Sequence, residues 1–551
     1  MLEKNCFGEI VEKIKKNDEL TLRAALLGCV LAILVCMYSA YAGLKIGGVY
    51  WPIVTTSLVS LAVLTVLGKT NAREIVVMQT AGSTGGLIAA GVIFTIPAIW
   101  MLGLRVSVFE ITVAALVGGV AGVLFSIPLR KHLIETERLP FPDGQAAAAL
   151  IQAGDEGGSK AKTLAASFAV GAAFSAARDY FKAIPGFVNL ETLKIEAARF
   201  FSFGSSISLI PFAGGFLIGP IFTCAWFLGA TASYFLLTPW FIANGVFSDK
   251  AVALAGFAKP IGVGIVIGAA LAFFLLKGLP EFKKIFRDFT NADWGLPKRW
   301  AGAALIACVG ALTVITEMNL ALSIIAIAGA FAMAYVGARV TGEMNVDPME
   351  IFALIVLIAA KIAFGFNIVP LVLLAAVVCI AAGMGGDFLQ DLKAGAVLHA
   401  NPRNQFKIQL LSVVAASLVI GVVLIALDKA QGIGSVNLPA PQAIAVKEIV
   451  SASALSNFLL TGLLFGALLT VFALRLGLGV IAVAFGIGMY VPIELSAPLF
   501  AGGLIRLVVD KARKTELWRL AAAGVISGEG LVGVVLALAG FAASSAGFIK
   551  F

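Results

Sequence analysis

Charge is what this chain has least of. Only 13% of its 551 residues are Asp, Glu, Lys or Arg, against about a quarter in a soluble globular chain. In their place 60% are hydrophobic, and mean hydropathy is +1.01. Histidine is nearly missing: His132 and His399 are too few for a His-rich metal cage. The six cysteines, Cys6, Cys29, Cys36, Cys224, Cys308 and Cys379, have no paired spacing, and five lie in apolar runs. Neither a disulfide framework nor a zinc site is suggested. The ten-residue alternation of outer-membrane strands is also absent. Residues 1–20 carry Glu3, Glu9, Glu12 and Asp18 with no continuous apolar stretch, so they do not read as a cleavable signal.

What is present is a succession of apolar stretches, each near the roughly 20 residues an α-helix needs to cross a bilayer. They lie near 22–44, 49–68, 75–103, 108–128, 161–183, 205–238, 256–276, 299–316, 319–337, 350–367, 368–386, 408–427, 456–474, 478–509 and 517–541. The blocks 205–238 and 478–509 are each long enough for two spans, so the reading is an all-α polytopic membrane protein with about 16 crossings. Lys and Arg concentrate before residue 24, around 129–138, in 277–299 and in 510–519. The positive-inside rule puts these in the cytoplasm, with the N-terminus, and puts 184–204 and 428–455 outside. The net charge of +9 then belongs to basic loops rather than to a nucleic-acid site. The expected organisation is an amphipathic lead-in (1–20), a first transmembrane half (21–280), a basic cytoplasmic linker (281–298) and a second half (299–551). The expected location is the inner (cytoplasmic) membrane.

Several stretches are interrupted. IVVMQTAGSTGGLIAAGVIFTIPAIW has Gly82, Gly85 and Gly86 at its middle and Pro97 beyond, and Gly383, Gly385 and Gly386 interrupt the run before Asp387. Both read as breaks in a helix. FPDGQAAAALIQAG (141–154) is apolar but too short to cross, which suits a re-entrant hairpin lining a cavity. Blocks 208–229 and 481–502 superpose at an offset of 273 residues, Gly215 on Gly488 and Gly229 on Gly502, and TGEMNV (341–346) resembles SGEGLV (527–532). This points to a two-fold internal duplication, and the opposite charge-derived directions of the blocks suit inverted halves. Chance alignment of glycine-rich helices is the competing account.

A charged side chain at the centre of a membrane helix costs about 2.5–3.5 kcal/mol on insertion scales, so it needs a partner, a water cavity or a function. Lys361, in ALIVLIAAKIAFGF, and Glu529, in VISGEGLVG, are the clearest cases. Asp387 and Asp391 are four apart on one helical face with Gln390 beside them. Such a pair repels unless a proton or cation lies between. Glu529, Asp387 and Asp391 are therefore candidates to carry a proton. The bland alternative for each is an ion pair, a snorkelling side chain or a cap. Asn71, Glu74 and Gln79 precede one interrupted segment, and Glu343 and Asn345, with Asp347, precede another span. With Lys361 and Gln390 they are the candidate substrate-binding groups, because amides and charges at broken helices suit a peptide-like or chelate-like solute. Lys361 is equally suited to pairing with one of the acids.

At these residues the chain resembles the oligopeptide transporter (OPT) family, whose other large branch is the yellow-stripe-like transporters of metal chelates. The resemblance rests on YAGLKIGGVYWP, NAREIVVMQTAGSTGGLIAAGVIFTIPA, LPFPDGQAAAALIQAG, SLIPFAGGFLIG, GARVTGEMNVDP, GDFLQDLKAGAVLHANPRNQ, LPAPQA, GMYVPIELSAPLFAGGLIR and SGEGLVGV, from about residue 40 to 535. It implies a carrier of small peptides or peptide-like metal chelates (siderophore- or nicotianamine-like, with iron) into the cytoplasm together with protons, needing no cofactor, and a dimer by analogy. The NPG and KIPPR signatures of the eukaryotic peptide branch are missing; NPR (401–403) and KPIG (259–262) are the nearest strings. The chain thus looks closer to the prokaryotic and yellow-stripe-like side, and the substrate stays open between peptide and chelate. An intramembrane aspartyl protease is the enzyme alternative, but ARDYF and GMGGD fit neither of its motifs, Met384 standing where a glycine belongs. A channel should show repeated filter-like loops, and none are evident.

Overall fold

The structure is a computed structural model that describes residues 18–49, 53–152, 157–189, 204–280, 298–344, 347, 349–365, 367–451, 456–478, 481–512 and 515–545. The proposed linker 281–298, all but the first helical residue at its end, and Asn345 lie outside these, as does the lead-in before residue 18. Among the described residues there are nineteen helices of ten residues or more. They are α1 (Leu22–Ile46), α2 (Ile53–Val66), α3 (Ala72–Ile93), α4 (Val108–Arg130), α5 (Pro142–Gln152), α6 (Gly157–Ser175), α7 (Leu209–Ile218), α8 (Pro220–Thr231), α9 (Lys259–Phe273) and α10 (Lys298–Ile315). The series continues with α11 (Leu320–Met344), α12 (Met349–Phe364), α13 (Ile368–Val397), α14 (Pro402–Gln431), α15 (Pro441–Ser451), α16 (Asn457–Arg475), α17 (Ile481–Tyr490), α18 (Ile493–Lys511) and α19 (Thr515–Ser545). A two-stranded antiparallel ribbon, β1 (Phe187–Asn189) with β2 (Gly204–Ser206), leads into α7.

Ten helical stretches are long and apolar enough to cross a membrane, and four more are apolar but shorter. The protein is therefore polytopic, with fewer full-length spans among the described residues than the sequence suggests. The difference has a local origin. Each block read as two spans is a ten-residue helix, a break and a longer helix: α7 and α8 part at Gly219 (φ 97°), α17 and α18 at Val491–Pro492. The stretch near 49–68 yields only the 14 residues of α2.

Helix starts follow capping chemistry. The Thr21 hydroxyl accepts from the Ala24 N–H and opens α1, Asn71 does the same for α3 through the Glu74 N–H, and Ser107 with Glu110 forms a capping box on α4. At the centre stand α3 and α13, each with 89% of its apolar window buried, against 28% for the peripheral α16. Helix α13 packs on α3, α4, α5, α11 and α12.

The expected breaks at the glycine clusters do not occur. Both α3 and α13 run through them unbroken. A Cβ on Gly85 would overlap the Ala32 carbonyl, and one on Gly385 the Ala334 carbonyl, so these glycines admit a neighbouring backbone. Pro97 instead begins a separate short helix, Pro97–Met101, where its missing N–H has no helical partner to lose.

The same packing joins α7–α8 to α17–α18. A Cβ on Gly215 would overlap the Leu499 carbonyl and one on Gly488 that of Trp226; Gly229 lies on the Phe485 carbonyl and Gly502 on that of Phe212. From these contacts α8 runs antiparallel to α17, and α7 to α18. In α9 and α16 the pairing is parallel: Gly264 and Gly268 lie on the Leu459 and Leu463 carbonyls, Gly462 and Gly466 on those of Ile261 and Ile265.

Candidate functional site

A mostly apolar-lined cavity of about 540 Å³ opens in the interior, reached by α1, α2, α5, α7, α8, α12, α15, α17, α18 and α19. Its aromatic lining is Tyr38, Phe222 and Trp226, and Trp226 Nε1 is held by Ser496 Oγ at 3.0 Å. The charged lining is mostly acidic: Asp143, Asp347, Glu350 and Glu516, with Arg519. Glu516 is already paired to Lys160 at 2.8 Å.

Behind the Asp347 side of this cavity lies the carboxylate pair of α13. Asp391 is fully buried, with Oδ1 accepting from Gln79 Nε2 at 2.6 Å and Oδ2 from Ser83 Oγ at 2.5 Å. Gln405 Nε2 ties the Asp391 carbonyl to Thr80 Oγ1 at 2.8 and 3.0 Å. One turn earlier, Asp387 is 4% exposed and its Oδ2 accepts no hydrogen bond from the described residues. Gln390 Oε1 accepts from the Gly144 N–H at 2.9 Å, tying α13 to α5. Lys393 turns away from the acids and donates to the Leu139 carbonyl at 3.0 Å. Among the described residues, no cation pairs with Asp387 or Asp391.

Glu529 has the opposite surroundings. It is fully buried in α19 and accepts from Arg178 Nη1 at 2.7 Å, Ser208 Oγ at 2.5 Å, and the first two N–H groups of α7, Leu209 at 2.8 Å and Ile210 at 3.2 Å. Lys45 Nζ stands 3.5 Å from the same carboxylate. Arg178 also grips Asp179 through Nε at 2.8 Å and Nη2 at 2.7 Å. The carboxylate thus caps a helix N-terminus and completes a cluster of two cations and two anions. A second cavity, about 620 Å³, opens beside it, lined by Lys45, Arg178 and Asp179. The two cavities meet α19 on either side of Glu529: Ile526 and Ser527 line the first, Gly533 and Leu536 the second.

The remaining sequence candidates sit elsewhere. Asn71 caps α3, and Glu74 next to it takes Arg23 at 2.7 Å, Thr21 Oγ1 at 2.6 Å and Thr70 Oγ1 at 2.8 Å. Glu343 lies 3.2 Å from Arg339 Nε. Lys361 donates to the Ile449 and Val450 carbonyls at 2.6 and 3.2 Å, the last turn of α15. Of the candidates, Gln79, Gln390, Asp387 and Asp391 come together around α13 and Asn71 with Glu74 at the start of α3, and none of the nine that lie among the described residues lines the central cavity. The sequence reading passed over Lys45, Asp143, Glu350, Gln405 and Gln442. All but Glu350 lie inside the quoted strings, Lys45 in YAGLKIGGVYWP, Asp143 in LPFPDGQAAAALIQAG, Gln405 in GDFLQDLKAGAVLHANPRNQ and Gln442 in LPAPQA, and that is the signal the sequence offers.

The chain is similar to a protein of Haemophilus influenzae named "Putative oligopeptide transporter", at 24% identity over 90% of this chain and 92% of that one. The family model described as OPT oligopeptide transporter protein matches residues 19–539. A polytopic, helix-packed membrane chain with an internal cavity, matched almost end to end, belongs to the OPT oligopeptide transporter family, a family of transporters and not of enzymes.

Proposed function

We propose that this protein imports small oligopeptides across the cytoplasmic membrane by proton-coupled alternating access around the 540 Å³ cavity. The carrying observation is that cavity: its volume falls within the roughly 300–1,000 Å³ usual for small-molecule sites, and helices from before residue 281 and after 297 share its walls. Proton carriage falls to Asp387 and Asp391: the Gln79 amide and the Ser83 hydroxyl hold Asp391, Asp387 Oδ2 has no donor among the described residues, and no described cation pairs with either. Taking a proton there removes the cost of a charge in a dry place. A proton arriving on Glu529 would instead release Arg178 and Lys45 and loosen the wall between the two cavities.

The two halves, 21–280 and 299–551, are read as inverted repeats. What supports this is the reciprocity of the glycine contacts: Gly215 on Leu499 and Gly488 on Trp226 are one contact written twice at an offset of 273 residues, between helices running antiparallel. That is what a two-fold axis across the helix direction produces.

The test is uptake into proteoliposomes holding the purified protein. A labelled tripeptide should accumulate when an inward proton gradient is imposed and should not when the gradient is collapsed. Equal uptake under both conditions would end the proton-coupled reading.

A further inference from the structure

We infer that the acidic wall of the central cavity is a seat for an ammonium group of the substrate. The inference rests on the peptide-transport reading and goes beyond it by assigning the chemistry of one end of the ligand. The wall takes Asp143 from the first turn of α5, Asp347 from the α11–α12 connection and Glu350 from the first turn of α12. Three carboxylates on one wall exclude an anionic group there, since like charges at close range in a poorly solvated site repel strongly.

The hydrogen-bond inventory points the same way independently. Gln442, on the same cavity lining and only 4% exposed, spends its Nε2 on the Gly47 carbonyl at 3.1 Å, while its Oε1 accepts from no donor among the described residues. Among the described residues, both carboxylate oxygens of Asp347 likewise accept from none. A Cβ on Gly386 would press on Asp347 Oδ2, so the next residue, Asp387, lies close behind with its own unpaired Oδ2. Every one of these orphaned atoms is an acceptor. Buried acceptors are costly to leave unpaired, and the complementary ligand is one that brings donors and positive charge. An ammonium supplies three N–H donors and no acceptor, and its bonds to carboxylates are charge-assisted.

That cation is either the peptide α-ammonium or a basic side chain, and four probes separate the two. Trialanine carries only the α-ammonium; trialanine amide keeps it and removes the carboxylate; N-acetyl-trialanine lacks it; N-acetyl-Ala-Lys-Ala restores an ammonium on a side chain. Competition against uptake of labelled trialanine should be lost at least tenfold on N-acetylation and retained on amidation. Recovery with the lysine peptide assigns a seat for any ammonium; no recovery assigns the α-ammonium. Asp347→Asn should shrink the preference for trialanine over its N-acetyl form, and the probe series on the unaltered protein stands if that variant fails to fold. Equal competition by trialanine and N-acetyl-trialanine overturns the ammonium seat while leaving peptide transport intact. Absence of any peptide uptake overturns both.

Discussion

Two groups of buried acids occupy this molecule, and they are buried in opposite ways. Glu529 faces two cations, a serine and a helix N-terminus, whereas Asp391 faces one amide and one hydroxyl, and Asp387 faces other acids, Asp347, Asp143 and Asp391. In the first place the protein supplies the countercharge itself. In the second it supplies hydrogen bonds to Asp391 and leaves charge balance to whatever arrives. Burial alone therefore does not mark an acid as the working one; the identity of the partners does.

The largest effect should come from breaking the first group. Glu529→Gln removes the carboxylate beside Lys45 and one of the two that Arg178 grips, and these cations are 7% and 5% exposed. Removing one partner of a buried pair costs about 3–5 kcal/mol, visible as a large drop in the thermal unfolding midpoint of the detergent-solubilised protein. An Arg178→Met, Glu529→Leu double variant should not recover that loss, because it also takes from Asp179 the guanidinium that grips it. Asp387→Asn should behave in the reverse sense. Its unfolding midpoint should stay close to that of the unaltered protein, while uptake driven by a proton gradient falls at least tenfold, equivalent to about 1.4 kcal/mol. A smaller step sharpens the description of Asp391: Ser83→Ala removes its 2.5 Å hydroxyl donor and should lower stability by about 1 kcal/mol. The smallest effect is expected at Lys361→Met. Losing a cation from the last turn of α15 costs about 0.3–1 kcal/mol, and uptake should persist because Lys361 does not line the cavity. Loss of uptake in that variant would return Lys361 to the substrate path.

Much of this was legible in the residues. The membrane class followed from the missing charge and the burial of Glu529 from the cost of charge inside an apolar run, whereas the stretch 141–154, read as a re-entrant hairpin, is the single helix α5. What a single chain could not display was which distant partner each acid meets. Arg178 and Glu529 are 351 residues apart, and no local pattern pairs them. Glycine was misleading for a related reason. In sequence, a glycine that bends a helix and one that admits a neighbouring carbonyl look alike; Gly85 and Gly385 are of the second kind, whereas Gly219, with its positive φ, is of the first.

The reciprocal seam between α7–α8 and α17–α18 has a consequence for how the chain is made. Gly215 and its partner Leu499 emerge from the ribosome about 280 residues apart, roughly 15–60 s at a synthesis rate of about 5–20 residues per second. Throughout that interval the first half must wait in the bilayer with its glycine-lined face uncovered. Small residues that fit a neighbour's backbone this closely will also accept the wrong helix. Biogenesis, rather than transport, is thus the stage at which this seam leaves the protein most vulnerable.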